Sequence, residues 1–321
     1  MSVMNVRRVI PGTALAAASA LLLGGTSACS SASSAADQSG KLSVVAAFYP
    51  LQFLAERIGG DHVAVTTLTQ PGQEPHDLEI SAKQTAQLQD SDVALYLEGL
   101  QPSVDAAIKQ SGIKSKVDAA SLTTLEKHGN EVGGHAAEHD DEHGEEEGAK
   151  DPHLWLDPVR YAQVAAGVGK AFEKADPDHA ALYKKNTATL VKQLDGLDTQ
   201  YTEGLKNTRS KVFITTHAAF GYLAERYGLT EEAINGLDPE SEPSAARVKN
   251  LEKMAKADGV TTVFYETLVS DKTAKTVAKD AGLKTDVLDP IEGITKKSRG
   301  GDYFAVMESN LKALQKALGA K

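Results

Sequence analysis

The amino-acid sequence predicts an α/β fold of two lobes, each a small, mostly parallel sheet flanked by helices, joined by one long rigid helix. Two observations carry this prediction. Short apolar runs rich in β-branched residues alternate with helical runs over 41–157 and again over 208–321, which is typical of parallel βαβ units. Between them, residues 158–207 have helical spacing almost throughout. The 321 residues are enough for two domains.

The first lobe is predicted to occupy residues 41–157. Ser81 and Gln84 have the spacing of a capping box, in which two side chains satisfy free backbone N–H groups at a helix start. Strands are predicted over 42–47, 63–68, 93–97 and 116–120, and helices over 50–58, 81–89 and 102–109. We therefore expect a parallel sheet of four strands.

Residues 127–150 interrupt this pattern with glycine, histidine and acidic residues and almost no apolar side chain. Such a segment cannot bury enough surface to fold, so a disordered loop is predicted. Its histidines are His128, His135, His139 and His143. Their spacing matches H-x-x-E-H twice, but that metalloprotease motif needs a buried helix, which glycines and dense negative charge disfavour. We interpret the segment as an auxiliary metal-gathering loop, with a solvated spacer as the alternative.

The rest of the chain is a helical region followed by the second lobe, 208–321. Helices are predicted over 159–175 and 178–205, and the second, about 28 residues, would be about 40 Å long. That length exceeds what one lobe needs, so it is interpreted as the connector. Strands of the second lobe are predicted over 212–216, 260–265 and 285–288, a loop over 236–242, and helices over 220–227, 244–257, 272–281 and 303–318.

Residues 1–28 have the layout of a secretory signal peptide. Two arginines precede an uncharged apolar run over 14–23, and small residues precede Cys29. The run is too short to span a membrane. Cys29 and the Ser/Ala-rich stretch after it resemble a lipoprotein processing site, so 29–40 is predicted to be a flexible tether from a lipid anchor. The alternative is an ordinary signal peptide with an incidental cysteine.

Composition narrows the classes of partner. The formal net charge of −10 argues against nucleic acid, which needs a basic surface, and is compatible with cations as ligands. Cys29 is the only cysteine, so neither an internal disulfide nor a cysteine zinc cluster can form. A metal site must then use histidine and carboxylate, which suits zinc or manganese. We expect a monomer.

Three histidines lie among apolar side chains beside an acidic or an aromatic residue: His76, His153 and His217. His76, His217 and the pair Asp289 and Glu292 each follow a predicted strand, and ligands of α/β sheets bind beyond the carboxyl ends of strands. Because the candidates come from both lobes, the site is predicted to lie in the cleft. Three imidazoles and one carboxylate fit a tetrahedral zinc ion.

Four motifs resemble those of the metal-binding lipoproteins of ABC importers, in the zinc and manganese group of solute-binding proteins. They are Pro75-His76-Asp77, His153-Leu154-Trp155-Leu156-Asp157-Pro158, Thr216-His217-Ala218-Ala219-Phe220-Gly221-Tyr222 and Leu288-Asp289-Pro290-Ile291-Glu292-Gly293. The resemblance covers residues 41–321. It implies two α/β lobes bridged by a long helix, with a metal ion between them.

The resemblance also implies that His76, His153 and His217 are ligands. Manganese members tend to place a carboxylate at the third position, so a histidine there is similar to the zinc subgroup. Glu292 is expected as the fourth ligand, with Asp289 as the alternative. The implied function is capture of Zn²⁺, or alternatively Mn²⁺, and its delivery to an ABC permease and its ATPase subunit, at the outer face of the cytoplasmic membrane or in a periplasm.

Two other classes of function remain open from the residues. A zinc hydrolase would use an open fourth position, with Glu292 or Asp289 as the base. No Gly-x-Ser-x-Gly elbow occurs in the sequence, and no nucleophile is paired with a base, which disfavours an enzyme. The other class is an adhesin or a structural lipoprotein.

Overall fold

The computed structural model describes residues 40–132 and 150–320. The predicted signal segment, Cys29 and nearly all of its tether, and the loop histidines His135, His139 and His143 lie outside the described residues. Within the described ranges, no helix is both long enough and apolar enough to cross a membrane.

The first lobe contains a four-stranded parallel sheet, as the sequence predicts. Its strands are β1 (Leu42–Ala46), β2 (Val63–Thr67), β3 (Val93–Tyr96) and β4 (Ser115–Asp118), in the order β2-β1-β3-β4. Its helices are α1 (Tyr49–Gly59), α2 (Ala82–Gln89) and α3 (Pro102–Gln110). The central strands β1 and β3 are almost wholly apolar because both of their faces are buried. Ser81 and Gln84 form the predicted capping box of α2.

Two long helices follow, α4 (Pro158–Ala175) and α5 (Ala180–Leu205). Asp157 caps α4, since its side chain accepts a hydrogen bond from the N–H of Val159 at 2.9 Å. The 26 residues of α5 give it a length of about 39 Å. It begins two residues later than predicted because residues Pro177–His179 form a turn of 3₁₀ helix. The predicted long helix is therefore confirmed with a shifted start.

The second lobe contains a five-stranded sheet. Its strands are β5 (Glu131–Val132), β6 (Val212–Thr215), β7 (Thr230–Ala233), β8 (Thr262–Tyr265) and β9 (Lys284–Val287), in the order β5-β7-β6-β8-β9. Its helices are α6 (Gly221–Tyr227), α7 (Ala245–Ala257), α8 (Lys272–Ala281) and α9 (Tyr303–Leu318). The pairings are parallel except that of β5, which runs antiparallel to β7.

Strands β5 and β7 differ from the sequence prediction. Residues 127–150 are predicted to form a disordered loop of the first lobe, but residues 127–132 are ordered and β5 joins the sheet of the second lobe. Lys127 and Lys150 pair as an isolated antiparallel bridge, which closes the base of the loop. Arg247 on α7 holds β5 in place by donating to the carbonyl oxygen of Asn130 at 2.8 Å. Part of the predicted loop is therefore an edge strand of the other lobe.

The two lobes share a continuous hydrophobic core that includes the first sheet, α4, α5 and α9. Helix α5 contacts α1 of the first lobe and α9 of the second. Trp155 joins the lobes directly, because its indole N–H donates to the carbonyl oxygen of Pro290 at 2.6 Å. Tyr303 on α9 donates to the carbonyl oxygen of Trp155 at 2.6 Å. These contacts fix the segment before α4 against the turn that carries Glu292.

Candidate metal centre

Four side chains from distant parts of the chain converge between the lobes. His76, His153, His217 and Glu292 each offer one donor atom, and all four atoms lie within 4.8 Å of one another. The Oε1 atom of Glu292 is 3.2 Å from Nε2 of His76, 3.3 Å from Nε2 of His153 and 3.7 Å from Nε2 of His217. The two buried imidazoles approach to 3.4 Å between their Nε2 atoms.

The four separations given above are close to the edges of a small tetrahedron, and the remaining two are at most 4.8 Å. A tetrahedral zinc ion with bonds of about 2.0–2.1 Å keeps its ligand atoms about 3.3–3.4 Å apart. The shorter and longer distances at Glu292, 3.2 and 3.7 Å, fall on either side of that value. The arrangement of three nitrogens and one oxygen can therefore accept such an ion with small side-chain shifts.

The strand ends explain how these residues meet. His217 lies just beyond β6, His76 in the loop after β2, and Glu292 in the turn after β9. The carboxyl ends of parallel strands meet at one edge of each sheet, and the two edges face the cleft between the lobes. His153 comes from the segment just before α4, which Trp155 fastens to the second lobe.

His153 is held by a buried carboxylate on the side away from the cluster. The Oδ1 atom of Asp151 lies 2.7 Å from Nδ1 of His153 and also accepts from the backbone N–H of His153 at 2.9 Å. The other oxygen of Asp151 lies 2.7 Å from Nδ1 of His128. A carboxylate at Nδ1 keeps the proton there and leaves Nε2 free to bind a metal ion.

His217 has the same arrangement. The Oε1 atom of Glu266 lies 2.8 Å from Nδ1 of His217 and accepts a hydrogen bond from the hydroxyl of Thr216 at 2.8 Å. His217 is 1 % exposed and Glu266 is 4 % exposed. The Glu266 carboxylate therefore orients the ring and directs Nε2 towards His153.

The turn that carries Glu292 is held by several hydrogen bonds. Ile291 has a φ of 61°, a left-handed conformation that is costly for a β-branched residue. The Asp289 carboxylate accepts from the N–H of Ile291 at 2.8 Å and from the hydroxyl of Thr267 at 3.0 Å. Asn310 bonds both the N–H and the carbonyl oxygen of Asp289. Asp289, the alternative fourth ligand, lies outside the converging group and stabilises the turn.

The charges of the site are mutually dependent. Burial alone lowers the pKa of His153, but Asp151 and Glu292 outweigh it and raise that pKa to about 9. Burial likewise opposes the proton on His217, yet Glu266 and Glu292 raise its pKa well above the ordinary value. Burial would raise the pKa of Glu292, but its hydrogen bonds with the imidazoles lower it well below the ordinary value. Protons and a metal ion therefore compete for the same Nε2 atoms.

His128, predicted as part of the auxiliary metal-gathering loop, lies at the base of that segment and packs against the protein. Its side chain is 7 % exposed, and its ring contacts Asp151 and packs edge-on against Tyr222. Lys127, the residue before it, pairs with Lys150 in an isolated antiparallel bridge. His128 therefore supports the Asp151 carboxylate, and it is not among the converging donor atoms.

Two carboxyl groups near the four donors, Glu266 and Glu74, are not predicted from the sequence. Glu266 directly follows β8, and β8 pairs with β6, so the rule that located His217 also points to this carboxylate. Glu74 lies two residues before His76 and has a buried Oε1 atom with no hydrogen-bond partner among the described residues. Burial, reinforced by the charge of Glu292, raises the pKa of Glu74 to about 8.

Comparisons with known proteins show what this chain is similar to. A family model described as "ZnuA: Zinc-uptake complex component A periplasmic" matches residues 44–317. The zinc-binding protein AdcA of Streptococcus pyogenes is 39% identical over 292 residues, covering 86% of this chain and 56% of that protein. The high-affinity zinc uptake system protein ZnuA of Bacillus subtilis is 36% identical over 302 residues, covering 91% of this chain and 92% of that protein.

A solved structure of a zinc-bound protein is also similar to this chain. The Zn(II)-bound ZnuA-like domain of Streptococcus pneumoniae AdcA superposes with a TM-score of 0.71 at 35% sequence identity, covering 87% of this chain and 99% of that one. The chain spans about half, 56%, of the length of the AdcA relatives that it matches. From the extent of the family match and the identity to full-length relatives, the chain belongs to the ZnuA family.

Proposed function

We propose that this chain is the extracytoplasmic zinc-binding component of an ABC importer. It captures Zn²⁺ between its lobes and delivers the ion to a membrane permease that works with an ATPase subunit. The observation that carries the proposal is the cluster of His76, His153, His217 and Glu292, whose donor atoms have the spacing of a tetrahedral ion. The relatives named as zinc-binding and zinc-uptake proteins support the same assignment.

The composition of the donor set favours zinc over manganese. Imidazole nitrogen suits zinc, whereas manganese prefers oxygen donors and a higher coordination number. Three of the four converging donors are nitrogen, and His217 supplies a nitrogen where a carboxylate would favour manganese. We therefore propose Zn²⁺ as the transported ion.

The same donor set supports capture rather than catalysis. A catalytic zinc ion keeps one coordination position for a water molecule or substrate, whereas four protein ligands close the tetrahedron. His153, His217 and Glu292 are each at most 1 % exposed, so three of the four ligands are closed off from solvent. The ion itself is the cargo.

We further propose that the protein is anchored by a lipid on Cys29 and works as a monomer. The small residues before Cys29 and the Ser/Ala-rich tether after it support the lipid anchor. Cells that express Cys29→Ser should release the protein into the soluble fraction, while the unchanged chain stays with membranes and incorporates labelled fatty acid. Equal partition of the two chains would contradict the anchor.

The experiment for the ion is a metal analysis of protein purified without chelator, followed by competition with a chromophoric zinc chelator. We expect one zinc ion per chain and no displacement by excess Mn²⁺. The variant His179→Ala should bind zinc as the unchanged chain does. His179 also pairs with a carboxylate, Asp176, but lies outside the cluster. Protein that holds no zinc, or that exchanges it readily for manganese, would contradict the proposal.

A further inference from the structure

Strand β7 carries two adjacent buried glutamates that point to opposite faces of the sheet. Glu231 is 0 % exposed and Glu232 is 3 % exposed. Successive residues of a strand alternate between faces, so the two carboxylates meet different neighbours. Glu232 lies 2.8 Å from the guanidinium of Arg247 on α7. Glu231 faces the start of α6 and the loop that carries His217.

Glu231 holds both ends of that loop. Its Oε1 atom accepts from the hydroxyl of Thr215 at 2.8 Å and from the backbone N–H of Phe220 at 3.1 Å. Thr215 is two residues before His217, and Phe220 is three residues after it. One oxygen atom therefore ties the last residue of β6 to the residue that precedes α6.

Among the residues that the structure describes, no ion pair to the Glu231 carboxylate explains its burial. Its other oxygen, Oε2, is buried and has no hydrogen-bond partner among the described residues. An unsatisfied buried oxygen costs stability. Burial raises the pKa of Glu231 to about 7. In its geometry, Glu231 supplies one acceptor atom to two points of the chain beside His217.

We propose that Glu231 is a positioning residue for the metal site, which sets the backbone of the Thr216–Ala219 loop so that Nε2 of His217 meets the other ligands. The inference rests on the proposed function. Glu231 and Glu266 have separate tasks: Glu266 bonds the His217 ring and sets its rotation, whereas Glu231 bonds the chain on either side and sets its place. Outer partners of this kind change metal affinity when they are removed.

The test compares three variants of the full chain: Glu231→Ala, Glu231→Gln and Glu232→Ala. Glutamine keeps a carbonyl oxygen where Oε1 stands, so it can accept both hydrogen bonds. Glu232→Ala is the matched control, since it removes a buried carboxylate from the same strand whose ion pair is with Arg247 on α7. The measurements are zinc affinity by chelator competition, the visible spectrum of the Co²⁺-loaded protein, and the melting temperature without metal.

We expect Glu231→Ala to bind zinc about tenfold more weakly, the lower end of the effect of losing a partner bonded directly to a ligand, and to change the Co²⁺ spectrum. Glu231→Gln should have the zinc affinity and the Co²⁺ spectrum of the unchanged chain. Glu232→Ala should lower the melting temperature while zinc affinity and the Co²⁺ spectrum stay as in the unchanged chain. If Glu231→Ala and Glu232→Ala affect melting alike and neither affects the metal, the inference is wrong although the proposed function stands. If the unchanged chain itself binds no zinc, the proposed function fails first.

If Glu231→Ala does not fold, Thr215→Val tests the same inference. Valine has nearly the shape of threonine and removes one of the two donors to Glu231. We expect weaker zinc binding than in the unchanged chain and a Co²⁺ spectrum shifted from it. An unshifted spectrum with unchanged affinity would overturn the inference.

Discussion

The two halves of the metal centre are built differently. His153 and His217 are buried, and each has a carboxylate, Asp151 or Glu266, at its Nδ1 atom. The side chain of His76 is 11% exposed, and among the described residues Glu292 is the acidic side chain that pairs with its ring. His76 also lies in a long irregular segment between β2 and α2. One half is therefore preformed, whereas the other half is completed by a less constrained ligand.

The difference indicates an order of importance among the ligands. A preformed ligand contributes its binding energy without a further ordering cost, whereas fixing a freer side chain costs about 0.5–1.5 kcal/mol. Water can also reach the position of a partly exposed ligand when that ligand is removed. His153 and His217 should therefore dominate the affinity, and His76 should close the site.

The largest effect is expected from removing a preformed ligand. His153→Ala should weaken zinc binding by more than about 100-fold, the upper range already seen when outer partners are lost. His76→Ala should weaken zinc binding about tenfold less than His153→Ala does. Ordering costs of the size given above correspond to roughly that factor. Chelator competition measures both. Equal losses in the two variants would remove the distinction between the halves.

Next in size are changes to the carboxylates behind the rings. Asp151→Asn and Glu266→Gln should each weaken zinc binding by about 10- to 100-fold, because the amide no longer fixes the imidazole tautomer and basicity. Asp176→Asn is the matched control, since Asp176 lies 2.8 Å from Nδ1 of His179 away from the metal centre. Zinc affinity that is unaffected by all three changes would mean that the buried carboxylates do not tune the site.

The pH dependence follows from the raised pKa values of the preformed half. His153, with a pKa of about 9, and His217, raised well above its ordinary value, hold protons at pH 7 that zinc must displace. Zinc affinity should therefore rise about tenfold or more per pH unit below pH 9. Calorimetry in two buffers of different ionisation enthalpy should show proton release on binding. Proton uptake, or none, would contradict the assignment.

The stability of the metal-free protein should change in the opposite direction. A raised histidine pKa contributes stability that is complete below the ordinary value of 6.5 and is lost as pH rises towards the folded value of about 9. The melting temperature without zinc should therefore fall between pH 6.5 and 9. With zinc bound, it should not fall in that window.

The smallest effect is expected from the acidic, histidine-rich segment. Replacing residues 133–149 by a short Gly/Ser linker keeps the Lys127–Lys150 bridge and the His128–Asp151 contact. The site should then keep its zinc affinity within about threefold, since none of the four converging donors is removed. Loss of all zinc binding would place the true site in that segment.

Much of the fold could be predicted because each strand and helix of the βα alternation has its own local signal. Strand β7 could not, since Glu231 and Glu232 look like solvent-facing residues until their partners, Phe220 just before α6 and Arg247 on α7, are known. Strand β5 was hidden for a similar reason, because its pairing with β7 is formed across a hundred residues. Strands such as β5 and β7, which carry charged residues, can therefore be recognised only once their tertiary partners are known.

The site divides in the same way. Strand ends mark His76 and His217 as candidates in the sequence, apolar surroundings mark His153, and the family resemblance favours Glu292. The choice between Glu292 and Asp289 could not be made from local pattern. It depends on Asn310 and Thr267, which bind Asp289 from other elements, and on the left-handed Ile291, which sets the turn.

The most direct measurement is anomalous diffraction at the zinc edge from crystals of the zinc-loaded chain. The account predicts one strong peak per chain, at about 2.0–2.2 Å from Nε2 of His76, His153 and His217 and from Oε1 of Glu292. A peak elsewhere, or one that lies too far from these four atoms to be bound by them, would contradict it.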